Sequence, residues 1–218
     1  MPDLAPATRA DARRNRQAIL ATARRVFAEQ GIQASLDEIA QRANVGNATL
    51  YRHFGSRCQL VAAALSEQME KYAQLAAAAA ADPDPWKALR GYLTTLCRMQ
   101  AADRGLADLL TSDTFPDPAI DAARDNARRD VVRAIRRAQR AGALRADFAP
   151  QDIAIILMAN AGLIHRAGAH AQDSSARLIA LLLDGLQATA ATPAPPPPSE
   201  PELLTVMRGE RRGEVRDR

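Results

Sequence analysis

The sequence predicts an all-α protein, and three observations carry that prediction. Apolar residues recur at three- and four-residue steps along most of the chain. Ala, Leu and Arg, all good helix formers, are abundant. β-Branched runs are confined to short pieces such as Ile153-Ala154-Ile155-Ile156. With 218 residues, 47% of them hydrophobic, the chain can bury a core in one large or two small domains.

Residues 1–12 read as a loose arm. From Arg13 the stripe Ile19, Leu20, Ala23, Val26, Phe27 marks a first helix, which Gly31 should stop. Ser35-Leu36-Asp37-Glu38 has the form of a capping box, hydroxyl first and Glu three residues on. The short second helix turns Leu36, Ile39, Ala40 and Ala43 inward and ends at Asn44, a residue that tolerates a left-handed backbone. A third helix runs from about Asn47 to Phe54. Gly55-Ser56 breaks it, and Ser56 caps a long fourth helix carrying Leu60, Val61, Ala64, Leu65 and Met69 toward the run Ala76–Ala81. Asp84 caps with Pro85 at the first helical position, and Phe115-Pro116-Asp117-Pro118 breaks the chain again. A fifth helix (Trp86, Leu89, Leu93, Leu96, Met99) follows the first of these and, after a short one near Gly105–Leu110, a long one (Ile120, Ala127, Val131, Ile135) follows the second and ends at Gly142. The arginines at 124–137 mostly face out of it. Pro150 and Ser174 open the last two helices. These are apolar over more than one stripe and need cover on several sides, which a second copy of the chain can supply. Residues 193–218, a proline run and a charged tail, read as disordered.

The net charge of +4 suits a nucleic-acid partner without requiring one. Two distant cysteines, Cys58 and Cys97, give neither zinc spacing nor a disulfide framework, which fits the cytoplasm. No metal or cofactor is expected. The first residues lack the apolar core of a secretory signal, and no stretch is apolar for long enough to span a membrane. Cys58, beside Arg57 in a first helical turn, has surroundings that favour thiolate; an inert cysteine is the plainer reading.

Residues 36–54 hold the strongest signal. Two short helices flank a tight turn, Ala40 is small where they cross, and Ile39, Val45 and Leu50 make a local core. This is the form of a helix-turn-helix, whose second helix enters the major groove. With Leu50 and Phe54 inward, Asn47, Ala48, Thr49, Tyr51, Arg52 and His53 are left for solvent or DNA. Thr and Ala suit a thymine methyl, Asn an adenine, Arg other base edges; Tyr, His and Thr also donate to phosphates. Ser35 and Gly46 complete the candidate contacts. Arg57, at a helix N-terminus, is placed for a phosphate, so its loss should lower the salt slope of binding by about one unit. A helical hairpin with a polar face also occurs in plain bundles, so the pattern alone leaves both readings open.

The run Leu36-Asp37-Glu38-Ile39-Ala40 … Val45-Gly46-Asn47-Ala48-Thr49-Leu50-Tyr51-Arg52-His53-Phe54-Gly55-Ser56-Arg57 closely resembles the DNA-binding domain of the TetR family of bacterial regulators. Thr-Leu-Tyr-x-His-Phe is its most specific part, and the resemblance covers about Arg13 to Leu65. It implies that the third helix reads the groove, with Thr49, Tyr51 and His53 at the usual contact positions. Arg57 stands where Lys is usual, Asn44 where Gly is usual, and Gly46 and Asn47 where Ser and Lys are more frequent. It further implies a helical C-terminal domain that dimerises through its last two helices, here near 150–168 and 174–190, and holds a ligand pocket. Candidate walls are Leu93, Leu96, Met99, Leu110, Val131, Ile135, Ile155 and Met158, with His165 as a polar group. At those spacings the same residues also serve as plain core.

The expectation is thus a cytoplasmic homodimeric repressor, released from double-stranded operator DNA by a small-molecule effector. Residues 13–60 would bind DNA, 61–192 would dimerise and sense, and 193–218 would form a tail. Two rival readings are an all-helical enzyme, which needs a cluster of acids, His or Cys on facing helices, and a protein-interaction module using the same hairpin.

Overall fold

Sequence-local signals decide where each helix starts, and burial of one stripe decides how it lies. The computed structural model describes residues 9–112 and 115–208. Among them ten α-helices follow one another without a strand: α1 (Arg9–Gln30), α2 (Leu36–Arg42), α3 (Asn47–Phe54), α4 (Arg57–Ala81), α5 (Pro85–Ala102), α6 (Arg104–Thr111), α7 (Pro118–Arg140), α8 (Pro150–Ala167), α9 (Ala171–Leu186) and α10 (Glu200–Met207). Side-chain caps begin α2, α4, α5, α6 and α7. Asp84 Oδ1 accepts from Trp86 N–H (3.1 Å) and Lys87 N–H (3.0 Å). Asp117 does the same for Ala119 and Ile120, and Asp103 Oδ1 caps α6 through Leu106 N–H at 3.0 Å. Such acceptors satisfy amides the helix itself leaves unpaired.

One apolar core runs from Ile19, Val26 and Phe27 of α1, through Leu60 and Leu65 of α4 and Leu93 and Leu96 of α5, to Ile179 and Leu183 of α9. α4 passes residue 60 without a break, so the expected domain boundary falls inside the helix that joins the two parts. Two arginines of α7 do not face solvent as expected. Arg137 donates to the carbonyls of Ala80 (2.7 Å) and Asp82 (2.6 Å), holding the C-terminal end of α4. Arg124 donates to Leu109 O and, at 2.9 Å, to Ser112 Oγ at the end of α6.

A buried polar knot fixes α8 and α9 against α5. Asn160 Nδ2 donates to Gln100 Oε1 (2.9 Å) and Cys97 O (3.3 Å), and Ser175 Oγ donates to Cys97 O (3.3 Å). Most polar groups this deep are paired; Asn160 Oδ1 is buried without a partner, and the remaining bonds of the knot select one register. Burial pushes the Cys97 thiol up to about 12, which keeps it protonated in that apolar setting.

Four expectations need correction. α1 begins at Arg9, not Arg13, so part of the arm is helical. α9 begins at Ala171, three residues before Ser174, after a single 3-10 turn at Gly168–His170. Glu38 supplies no return bond to Ser35; its carboxylate is taken by Arg42 (2.7 Å) and Gln30 (2.9 Å). The tail expected to be disordered contains α10. Ser199 N–H and Oγ both donate to Glu202 Oε2, at 3.0 and 2.8 Å, closing a cap ahead of Pro201. The charged stretch after residue 208 lies outside the described residues.

Candidate DNA interface and effector cavity

The turn between α2 and α3 is made by Asn44 at φ 55°, the one described non-glycine residue with positive φ. Its side chain takes the left-handed backbone where Gly is the common choice. α3 is held from beneath by buried Leu50 and Phe54, and the Arg16 guanidinium of α1 sits 5.0 Å from the Phe54 ring centre. The opposite face is open. Asn47, Ala48, Tyr51 and Arg52 are exposed, Tyr51 by 49%. Thr49 is half-buried beside them. Asn47 Nδ2 donates to Asp37 Oδ1 at 2.6 Å, tying the start of α3 to α2. Gly46 has ordinary backbone angles and open space around it. The fold therefore does not require glycine there, and its absent side chain bares the N-terminal end of α3. Ser35 is exposed, with its hydroxyl capping α2 through Glu38 N–H at 3.4 Å.

Two candidate contacts are placed differently. His53 is half-buried, with Nε2 covered and without a hydrogen-bond partner. Arg57 turns inward: Nη1 donates to Ala34 O at 2.5 Å and Ile32 O at 3.1 Å. The charge expected on a phosphate instead holds the carbonyls of the α1–α2 corner. Arg57→Gln is therefore expected to destabilise the fold by about 1.5–3 kcal/mol while leaving the salt slope of DNA binding unchanged; denaturant unfolding and a salt titration check both.

That corner is also gripped from α6. Asp108 Oδ2 accepts from Ile32 N–H at 3.0 Å. Gly31, at φ 89°, leaves room for that carboxylate, which a Cβ there would overlap. At the start of α6, a Cβ on Gly105 would stand 3.1 Å from both Cβ and O of Phe27. α6 thus lies against α1 as closely as a bare backbone allows.

Burial pushes the carboxyls of Asp103 and Asp108 up, against the hydrogen bonds each accepts. A raised value means the folded state holds the proton more tightly than the unfolded chain. The stabilisation is full below the ordinary carboxylate range and is lost as pH rises through the raised value. Asp103→Asn should therefore flatten the dependence of stability on pH above the ordinary carboxylate range. It should also stabilise the protein at neutral pH by about 1 kcal/mol. Asn still caps α6, and Gln68, whose Nε2 donates to Asp103 Oδ2 at 3.3 Å, must turn its amide over to offer the Asn side chain Oε1, the atom now buried without a partner. Unfolding at pH 5 and 7.5 tests this; lower stability of the variant at neutral pH would show that the cap needs its charge.

Behind α6 lies a cavity of about 770 Å³. Tyr72 of α4, Tyr92 of α5, Leu110 of α6, Val131 of α7 and Leu157 of α8 form its walls. The two phenols interact, and burial raises both. Of the expected wall residues, Leu110 and Val131 are here. Leu93, Leu96 and Ile135 are solid core and Met99 packs half-buried against it. Ile155 and His165 are exposed on α8, with Met158 half-buried. Periodicity told core from surface but not which core residue borders a void, so Tyr72, Tyr92 and Leu157 were missed. Polar tips on otherwise apolar stripes were the available signal for the tyrosines.

Residues 19–64 match the family model described as bacterial regulatory proteins of the tetR family, and residues 84–188 match the SbtR-like transcriptional regulator C-terminal domain. The solved TetR transcriptional regulator SCO0520 from Streptomyces coelicolor is 30% identical, over 79% of this chain and 98% of that one, with a TM-score of 0.50. The chain belongs to the TetR family. It is a DNA-binding transcriptional regulator with an N-terminal helix-turn-helix domain and an all-α fold, and the family is a class of regulators rather than enzymes. Two further TetR-family structures share that fold. One is a regulator from Agrobacterium tumefaciens (21% identity, 81% of this chain and 99% of that one, TM-score 0.59). The other is SmeT, the repressor of the Stenotrophomonas maltophilia multidrug efflux pump SmeDEF (23%, 83% and 97%, 0.53). A comparison with curated proteins returned no match. Among the described residues of this TetR-family chain, no helix is long and apolar enough to cross a membrane.

Proposed function

We propose that the protein is a cytoplasmic homodimer that represses transcription from an operator and is released by a small molecule entering the α4–α8 cavity. The observation that carries the DNA half is the bared face of α3, where Asn47, Ala48, Tyr51 and Arg52 are exposed over a rigid base of Leu50 and Phe54. In this reading these four and Thr49 meet base edges, with Ser35 and Gly46 close to phosphates. His53 and Arg57 support the corner from within. Residues 13–60 form the DNA-binding part and 61–192 the dimerising and sensing part.

Dimerisation is supported by the outer faces of α8 and α9. Ile155 and Leu181 are exposed there, Leu181 by 55%, with Met158, Leu163, Leu178 and Leu182 half-buried alongside. Apolar surface of this kind favours association. Two recognition helices set about 34–36 Å apart enter successive major grooves. Release is supported by α6, in which Leu110 borders the cavity and Asp108, two residues earlier, holds Ile32 N–H. A ligand that shifts α6 acts on the DNA-binding corner through the Asp108–Ile32 hydrogen bond and the Gly105–Phe27 contact, and differential binding to the two states supplies the coupling.

Fluorescence anisotropy on labelled DNA from upstream of the chain's own gene tests this, at two salt concentrations and with a scrambled duplex. Tight, salt-sensitive binding lost on scrambling is the expected result. Equal weak binding to both duplexes would remove that DNA as the operator.

A further inference from the structure

The C-terminal segment lies outside the family match, which ends at residue 188, yet it is held to the body. Arg145 pairs with Asp147 through Nε (2.6 Å) and Nη2 (2.9 Å) and donates to Thr192 O at 2.6 Å, so the segment leaves from a fixed point. Pro195–Pro198 follow, a stiff extended spacer of about 3 Å per residue. Ser199 and Glu202 then cap α10. Glu200 meets Arg128 of α7 at 2.9 Å, and Leu203, Leu204 and Met207 stand in the lining of the cavity. The void of about 770 Å³ is open with α10 in place, so the helix is one of its walls.

That wall turns apolar side chains toward the void. Leu203, Leu204 and Met207 are half-buried, while Val206, outside the lining, is 60% exposed. A helix of eight residues is not stable by itself in water, so its contacts with the body hold it in shape. The other walls include Leu110, Val131 and Leu157 with the rings of Tyr72 and Tyr92. The charged residues of the lining balance, Arg124, Arg128 and Arg136 against Asp121, Asp125 and Glu200. Arg128 is taken by Glu200, and Arg124 by Leu109 O and Ser112 Oγ. The cavity thus offers apolar surface and no net charge that would select an ion. Small-molecule sites bury most of the ligand's surface, and without α10 one side of this one would face solvent.

We propose that α10 is part of the binding site: a neutral, mostly apolar small molecule binds in the cavity against Leu203, Leu204 and Met207 as well as against α4–α8. The proposal rests on reading this cavity as the effector site. Affinity then depends on side chains outside the family match, and Met207, unbranched and flexible, fits the wall to the shape of the molecule. The dependence is mutual. A ligand that touches α10 in its seat also holds α10 there, so binding tightens the docking of the C-terminal segment.

The full-length protein is titrated with N-phenyl-1-naphthylamine, a neutral apolar fluorophore, beside Leu204→Asp in the lining and Val206→Asp on the exposed side of the same helix. Both variants place one carboxylate on α10, so a difference between them reports the wall and not the helix. Leu204→Asp should bind the probe at least about fivefold more weakly than the parent, and Val206→Asp within about twofold of it. Hydrogen exchange over residues 200–207 of the parent should slow when the probe binds. No probe binding to the parent, equal affinity in the parent and Leu204→Asp, equal losses in the two variants, or faster exchange over 200–207 with the probe would each overturn the proposal. Operator anisotropy separates it from the release reading. If the probe binds as expected and leaves operator affinity unchanged, the wall stands and release by an apolar molecule in this cavity falls. If the probe releases the operator equally well from the parent and Leu204→Asp, release stands and the wall falls.

Discussion

Phe27→Ala is expected to lower the stability of the folded protein by about 3–5 kcal/mol, a fall in Tm of roughly 6–20 °C for a chain of this size. Phe27 is fully buried at the C-terminal end of α1, where its carbonyl accepts Gly31 N–H at 2.8 Å and Gly105 presses against it from α6. Neighbours locked this closely collapse little into a void, so the loss includes the cavity left behind as well as the lost transfer of the ring. The same joint carries Asp108 to Ile32, so the surviving folded variant should also answer less to whatever moves α6. Thermal unfolding followed by circular dichroism measures the first effect. A loss below about 1 kcal/mol would mean that α6 closes on α1 when the ring is gone.

Tyr51→Ala should weaken operator binding by about 1–3 kcal/mol, roughly 5- to 150-fold in Kd, while the fold changes by less than about 0.5 kcal/mol. The asymmetry follows from position. Tyr51 is half exposed on the outer face of α3, and the helix is held by Leu50 and Phe54 beneath it. Tyr51→Phe separates the roles: an effect as large as that of Ala assigns the interaction to the hydroxyl, and a small one assigns it to ring packing. Anisotropy with the natural operator reads both. Unchanged affinity in Tyr51→Ala would remove Tyr51 from the interface.

Much of this was legible in the sequence because the signals are local. The Leu50/Phe54 pair and the Gly55-Ser56 break read as a third helix from about Asn47 to Phe54, and α3 has those limits. Asn44 was read as a left-handed turn and is one. Asp84-Pro85 marked a helix start because cap and proline act within one turn, and Phe115-Pro116-Asp117-Pro118 marked a break. The errors arose where distant groups decide. Arg57 looked free for a phosphate because nothing within a few residues shows that Ile32 and Ala34 turn their carbonyls toward it. α9 starts early because α8 and α9 connect through a tight 3-10 turn. α10 was hidden by the prolines before it, since composition registers the spacer and misses the helix that only its docking site stabilises. The cavity was not legible, because a void depends on how five helices meet.

The long helix α4 is pinned at both ends, by Arg137 on the carbonyls of Ala80 and Asp82 and by Arg57 on those of Ile32 and Ala34. Its 25 residues make a rod about 37 Å long. Pivoting that rod by about 5° around the Arg137 end sweeps the Arg57 end through about 3 Å, close to the 3.4 Å rise of one base step. On the proposed function, a change at the cavity too slight to alter any helix would arrive at the DNA multiplied by the length of the arm. In a two-fold dimer the displacement enters twice, which puts the recognition helices out of step with the groove by about two base pairs.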